Sequence, residues 1–232
     1  MNHSAIELIH SWQGLTVLVL GEVMLDRYWQ GSADRLCPDA PVPVVNVKQQ
    51  QDFPGGAANV VANLVSLGAR VIVLSVLGKD GEGDRLHQLL TQSDRVTDHL
   101  IHSSQRSTLA KQRVMANGHL FVRFDTGSTA LIAPLEETIV IDRLIERFPR
   151  CDAVIVSDYD YGILTPRIVQ TLADLQASSP RVVVVDSKHL QRYRAVGVTA
   201  VKPNYKQAIA LLDLPPNPTS AKPKSPLVAP SC

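Results

Sequence analysis

Pro54-Gly55-Gly56-Ala57-Ala58-Asn59 is followed at near-helical spacing by Val60, Val61, Leu64 and Leu67, with Gly68 placed as a C-cap. Paired glycines let backbone approach a ligand where a side chain would block it. The small residues after them can open a helix whose first N–H groups face that ligand. The same letters suit a helix packed tightly on its neighbours with no ligand at all. What lies on either side has to decide.

On the N-terminal side, Thr16 to Leu20 is a β-branched and leucine run ending at Gly21, without polar alternation. Such a run predicts a strand buried on both faces, as in a parallel sheet. Glu22 and Asp26 follow its C-terminal end, where ligands bind in open α/β sheets. Two carboxylates there suit the hydroxyls of a sugar or another polyol; they equally suit a solvated turn. Further out, Ala5 to Trp12 predicts a short helix with Ile6 and Ile9 inward, broken by Gly14.

On the C-terminal side, strand and helix alternate. Arg70 to Leu77 predicts a strand, Gly78 to Asp84 a turn, and Leu86, Leu89 and Leu90 mark a helix. Pro134 to Phe148 reads as an amphipathic helix, Asp152 to Ser157 as a buried strand and Pro166 to Leu175 as a helix. Arg181 to Asp186 is a valine-rich strand, and Thr199 to Lys202 a short last one. This alternation implies right-handed βαβ crossovers and a doubly wound sheet. Asp158, Asp186 and Asn204 then fall at C-terminal strand ends, on the same edge as Glu22 and the glycine pair.

Two stretches break the alternation. Pro38 to Val47 carries three prolines among its valines, which confines it to an edge or an outlying ribbon. Thr108 to Met115 and His119 to Asp125 are extended runs joined by Asn117-Gly118, a hairpin signal. Together these predict a small second sheet, a flap over the main one, with strands within 38–48 and 107–125. Period 2 puts Lys111 and Arg113 on one face, with Arg123 on the next strand. That face suits a phosphate, or simply solvent.

The 232 residues are 45% hydrophobic, ample for a continuous core, and a net charge of +1 gives no general attraction to nucleic acid or acidic membrane. Cys37, Cys151 and Cys232 are widely spaced and odd in number, as free thiols in a reducing compartment would be. No apolar run reaches a membrane span and no secretory leader is visible, so the expectation is a cytoplasmic protein with no nucleic-acid or membrane partner. Pro215 to Cys232 holds six prolines and little to bury, the composition of a disordered tail.

Read in order, the motifs are GEVMLDRYWQG from Gly21, APVPVV from Ala40, PGGAANVVANLVSLGA from Pro54 and GKDGEGD from Gly78. AKQRV from Ala110, VRFD from Val122, SDY from Ser157, DSK from Asp186 and KPN from Lys202 follow. Across Leu15 to Leu214 they resemble the ribokinase-like (PfkB) carbohydrate kinases, and MLDRYW with APVPVV narrows the resemblance to the branch acting on heptose 7-phosphate. The resemblance implies an α/β/α core at 15–214 with a β lid that can also serve in dimerisation. It implies transfer of the ATP γ-phosphoryl to a sugar hydroxyl with Mg2+, here converting D-glycero-D-manno-heptose 7-phosphate to the 1,7-bisphosphate in the ADP-heptose pathway. By matching position, Glu22, Asp26, Gly55, Gly56 and Asn59 would hold the sugar, and Lys111 and Arg123 its phosphate. Asp186, Lys188, Asn204, Lys206 and Gln207 would lie toward the nucleotide and metal.

Three departures qualify this. Glu22 stands where the heptose branch usually has Asp, and Gln207 where the family has Glu, which removes a charge from the metal-water shell. The family's Gly-Ala-Gly-Asp segment, which supplies backbone N–H groups for developing charge and the Asp that serves as catalytic base, is not in this chain. The expectation is therefore a C-terminally truncated or frameshifted kinase with impaired turnover and no assignable catalytic residue. The alternative is a non-catalytic sugar-phosphate-binding or dimerising fragment. Gly81-Glu82-Gly83-Asp84 imitates the missing pattern far earlier in the chain. A Rossmann dehydrogenase would need G-x-G-x-x-G after the first strand, which Gly21-Glu22-Val23 does not provide.

Overall fold

The computed structural model describes Glu7 and residues 10–213. The chain divides into one unit ending at Lys202 and a second from Pro203. Glu7, His10 and Ser11 have helical backbone. Ala5, Ile6 and Ile9 of the expected first helix lie outside the described residues, as does the tail at 215–232.

In the first unit the order is β1 (Thr16–Gly21), β2 (Val23–Leu36), β3 (Pro43–Gly56), α1 (Ala57–Ser66), β4 (Arg70–Gly78), α2 (Gly81–Leu90) and β5 (Val96–Ser103). Then come β6 (Ala110–Ala116), β7 (His119–Thr126), α3 (Pro134–Arg147), β8 (Ala153–Asp158), α4 (Pro166–Ser178), β9 (Val182–Ser187) and β10 (Ala200–Val201). The main sheet runs β10-β9-β8-β1-β4-β5, all parallel. Val17, Val19, Val71 and Val73 share one cluster with Ala57, Ala58 and Val61 of α1 and Leu86 and Leu90 of α2. Because side chains alternate along a strand, Leu18, Leu20, Ile72 and Leu74 face the other side, where α3 packs on β4, β5 and α4. This is the doubly wound α/β/α arrangement expected from the sequence.

The chain order reverses between β1 and β8: β4 and β5 are laid down on one side of β1, and β8, β9 and β10 on the other. The C-terminal ends of β1 and β8, paired at Gly21 and Ser157, therefore form the switch point at which open α/β sheets bind ligands.

The second sheet runs β3-β2-β6-β7 and forms the lid. Asn117 and Gly118 both have positive φ, 52° and 81°, as a two-residue hairpin turn requires. Two expectations need correcting. Val23 to Leu36 is a fourteen-residue strand rather than a turn, and β3 continues through to Gly56, so the glycine pair ends a lid strand. The long strand escaped notice because its outer residues are polar. They are satisfied across the ladder, where Arg27 faces Asp52 and the Gln30 amide bonds Gln51 at 2.9 Å. β5 was also missed, since its Asp and His residues interrupt the apolar pattern of an edge strand.

In the second unit, α5 (Tyr205–Leu211) opens at Asn204, whose side chain accepts from the Gln207 amide N–H at 3.0 Å. The Gln207 side chain accepts from the Asn204 N–H at 2.8 Å. This is a reciprocal capping box.

Candidate functional site

At the switch point Glu22 is wholly buried. Its carboxylate accepts from the N–H groups of Tyr159 at 2.7 Å and Ile163 at 3.2 Å, both on the loop after β8. Its own N–H donates to Ser157 O at 3.2 Å. Burial pushes this carboxyl up to about 7, against the backbone amides that favour its charged form. Glu22 thus clamps the β8 loop to the end of β1. With both oxygens turned into the protein, it does not present the sugar-hydroxyl acceptor expected from its position in the chain.

Asp26 is the acid left facing outward, a quarter exposed, with Oδ1 2.7 Å from Arg113 Nη1. Its neighbour explains the first glycine. A Cβ on Gly55 would stand 2.4 Å from Asp26 Oδ2, and one on Gly56, at φ +57°, only 2.5 Å from Glu22 O. The space the glycines leave is filled by the side chains of Asp26 and Met24 and by the Glu22 carbonyl. The pair therefore positions the acid, which narrows the choice left open by the sequence. At the helix start Ala57 N–H donates to Glu22 O at 2.9 Å, and Asn59 stands exposed on the first turn.

On the lid, Lys111 is the direct cross-strand neighbour of Asp26, and Arg113 lies opposite Arg123 on β7. Lys111 and Arg113 share the face turned toward the β8 loop: Lys111 Nζ lies 5.0 Å from the Tyr159 ring and 5.8 Å from the Tyr161 ring. Burial holds the Lys111 ammonium below the usual lysine range. Arg123 is committed to Asp125 at 2.6 Å. A cavity of about 130 Å³ opens here between Lys111, Asp125, Gly127, Thr129 and Tyr161.

Around β8 and β9, Asp158 is buried and fully engaged, accepting from Ser187 Oγ at 2.7 Å, Tyr193 OH at 2.8 Å and Asp160 N–H at 2.8 Å. Asp186 pairs with Lys202 at 2.9 Å. Lys188 is exposed, 5.1 Å from the Tyr161 ring. Asn204, Lys206 and Gln207 belong to the second unit, where the two amides satisfy each other as the α5 cap. The Gly81-Glu82-Gly83-Asp84 turn is not an anion hole. Gly83 N–H is taken by Asp80 at 2.8 Å and Glu82 pairs with Arg27 at 3.3 Å.

Tyr159 and Tyr161 were not singled out from the sequence; their signal was the aromatic pair inside Ser157-Asp158-Tyr159-Asp160-Tyr161. Among the described residues no three His, Cys, Asp or Glu side chains come together to hold a metal, and no helix is long and apolar enough to cross a membrane. A larger cavity, about 430 Å³, lies on the α4 flank between Leu164, Val169, Ala173 and Val196. Its lining does not include Lys111, whereas that of the smaller one does, next to the strand that carries Asp26, so we place the site at the smaller one.

A profile of the pfkB family carbohydrate kinases matches residues 15–212. The bifunctional protein HldE of Caulobacter vibrioides is 34% identical over 208 residues, which cover 90% of this chain and 42% of that protein. HldE of Nitratiruptor sp. is 40% identical over 195 residues, 83% of this chain and 40% of that protein. The chain thus spans about two fifths of the length of these curated relatives. Phosphofructokinase-2 from Escherichia coli, solved in complex with substrates and products, superposes with a TM-score of 0.67 at 20% identity, covering 86% of this chain and 63% of that one. A carbohydrate kinase from Agrobacterium tumefaciens gives 0.63 at 17%, covering 85% and 63%. At these identities the likeness to the solved structures concerns the fold.

Proposed function

The chain belongs to the pfkB family of carbohydrate kinases, and from that premise we propose that its switch-point cleft receives a sugar phosphate, D-glycero-D-manno-heptose 7-phosphate, for phosphorylation at the 1-hydroxyl. The observation that carries this reading is the pairing of Asp26 with Lys111 on the cleft face of the lid, beside glycines that leave room for the acid. A carboxylate orients hydroxyls of the sugar, and an ammonium with no acid partner within ion-pair distance among the described residues meets its phosphate. Gly55, Gly56 and Asn59 border the sugar, and Arg123 stands one strand further out.

ATP would supply the phosphoryl group and Mg2+ would neutralise charge on its phosphates; the sugar oxygen gains the γ-phosphoryl, ADP leaves, and the hydroxyl proton passes to water, no base being assigned in this chain. Of the residues assigned to the nucleotide, Lys188 fits, being an exposed cation without an acid partner among the described residues. Asp186 already neutralises Lys202, and Gln207 and Asn204 cap their own helix. We therefore hold that this chain by itself binds the sugar phosphate and turns it over poorly. Lid pairing between two copies, through Val122 and Phe124 exposed on one face of β7, belongs to the same reading.

An ATP turnover assay with heptose 7-phosphate, run beside calorimetry of the sugar phosphate alone, tests this. Binding with turnover far below roughly 10 s⁻¹ is expected. Turnover near that value would refute the impairment, and no binding at all would refute the substrate.

A further inference from the structure

Four acids around the cleft have a cation of their own: Asp26 has Arg113, Asp125 has Arg123, Asp160 has Arg192, and Asp186 has Lys202. Lys111 and Lys188 do not share in this. Among the described residues, Lys111 and Lys188 have no carboxylate within 4 Å, and what each has instead is the ring of Tyr161, at 5.8 Å and 5.1 Å. One comes from the lid and the other from the end of β9, so a single aromatic ring is the common post of two ammoniums on different elements. Tyr159 extends the post: its ring stacks on Tyr161 at 6.2 Å and 25°, and Lys111 sits 5.0 Å from it.

The post is held firmly. Tyr159 N–H is fixed by Glu22 at 2.7 Å, and Tyr161 O accepts from Arg106 at 3.1 Å. Gly162, at φ +87°, lies so close to Ala130 O that a Cβ there would stand 2.0 Å from it. Asp160 turns the chain between the two rings at φ +61°, its N–H held by Asp158. Aromatic faces attract ammoniums at these distances but do not neutralise them, and Asp26 and Asp125 act on Lys111 only from beyond ion-pair distance. Phosphate oxygens would supply a close counter-ion.

Resting on the kinase reading above, we propose that Tyr161 is a positioning residue: its ring sets Lys111 and Lys188 toward a shared anion, and so couples the lid's grip on the sugar phosphate to the core's grip on the nucleotide phosphates. The ring is what matters, so phenylalanine should serve and an aliphatic side chain should not. Replacing it frees Lys188 and leaves Lys111 with the Tyr159 ring alone, although the two lie on separate elements.

The test uses the full chain with its lysines dimethylated by ¹³C-formaldehyde and borane, the two signals being assigned with Lys111→Arg and Lys188→Arg. In the unaltered protein both signals should be shifted upfield by the ring, and both should move on titration with heptose 7-phosphate or ATP, with inorganic phosphate as the minimal probe. Tyr161→Leu should return the Lys188 signal to the free-lysine position, leave Lys111 only the part of its shift that Tyr159 causes, and weaken binding of each phosphate ester about tenfold, whereas Tyr161→Phe should keep both shifts in full. A Lys188 shift that persists, or a Lys111 shift that is not reduced, in Tyr161→Leu, or undiminished phosphate binding by that variant, overturns the inference and leaves the kinase reading standing. Failure of the unaltered protein to bind any of the three probes overturns both.

Discussion

Glu22 and Gly55 are the residues at which position in the sequence and role in the structure part company. Burial raises the Glu22 carboxyl from its ordinary 4.5 to about 7, so between those values the folded state holds a proton that the unfolded chain has released. Stability attributable to this group is therefore full below about pH 4.5 and declines as pH rises through 7, by roughly 3 kcal/mol. Chemical denaturation of the parent and Glu22→Gln between pH 5 and 8 should show a falling component that the variant lacks; parallel curves would contradict it. Gly55→Ala brings a methyl onto the Asp26 carboxylate, and a cost of about 1 to 3 kcal/mol is expected. Asp26→Ala should relieve part of that cost, so the double variant should be less destabilised than the two single changes added together, whereas strict additivity would show that the glycine serves some other neighbour. The glycine pair was conspicuous in the sequence. Its cause was not, because only the register that sets Met24 against Gly55 brings Asp26 over it.

At the scale of elements, β1, β4, β8 and β9 were legible because strands buried on both faces are continuous apolar runs, and the β6–β7 hairpin was legible through Asn117-Gly118. The lid strand β2 was not. Its Arg27, Trp29 and Gln30 find partners only across the ladder: Trp29 Nε1 bonds Gln112 at 3.0 Å, and Arg27 reaches Asp52 at 2.7 Å and Glu82 on α2 at 3.3 Å. The contact with Glu82, and that of Arg85 on α2 with Asp52 at 3.3 Å, tie the lid base to the core. Burial alone would raise the Asp52 carboxyl, but Arg27, Gln50 and Arg85 together hold it below its ordinary value. This stabilising contribution is present above about pH 4 and is lost as pH falls below it. Asp52→Asn should speed amide exchange in β2 and β3 by about tenfold while leaving β8 and β9 as they were; unchanged lid exchange would show that the ion pair does not hold the lid down. On the opposite edge, Val122→Asp should shift any dimer toward monomer in sedimentation, and an unaltered mass distribution would remove β7 from the interface.

For the whole molecule, the proposed site lies where the doubly wound sheet changes direction, and the lid brings Asp26, Lys111 and Arg113 over it. Switch-point topology brings the end of β1 to the end of β8, and Glu22 closes that seam. From there the β8 loop reaches up to the lid through Tyr159, Tyr161 and Lys111. Strand alternation carried the topology in the sequence, but the meeting of lid and loop depends on contacts more than forty residues apart, which no local pattern encodes. The sugar-phosphate cleft is the central claim, and hydrogen exchange with and without heptose 7-phosphate tests it most directly. Slowed exchange at Asp26, Gly55 to Asn59, and Lys111 is expected. Slowing confined to the α4 flank around Leu164 and Val169, with those segments unaffected, would contradict it.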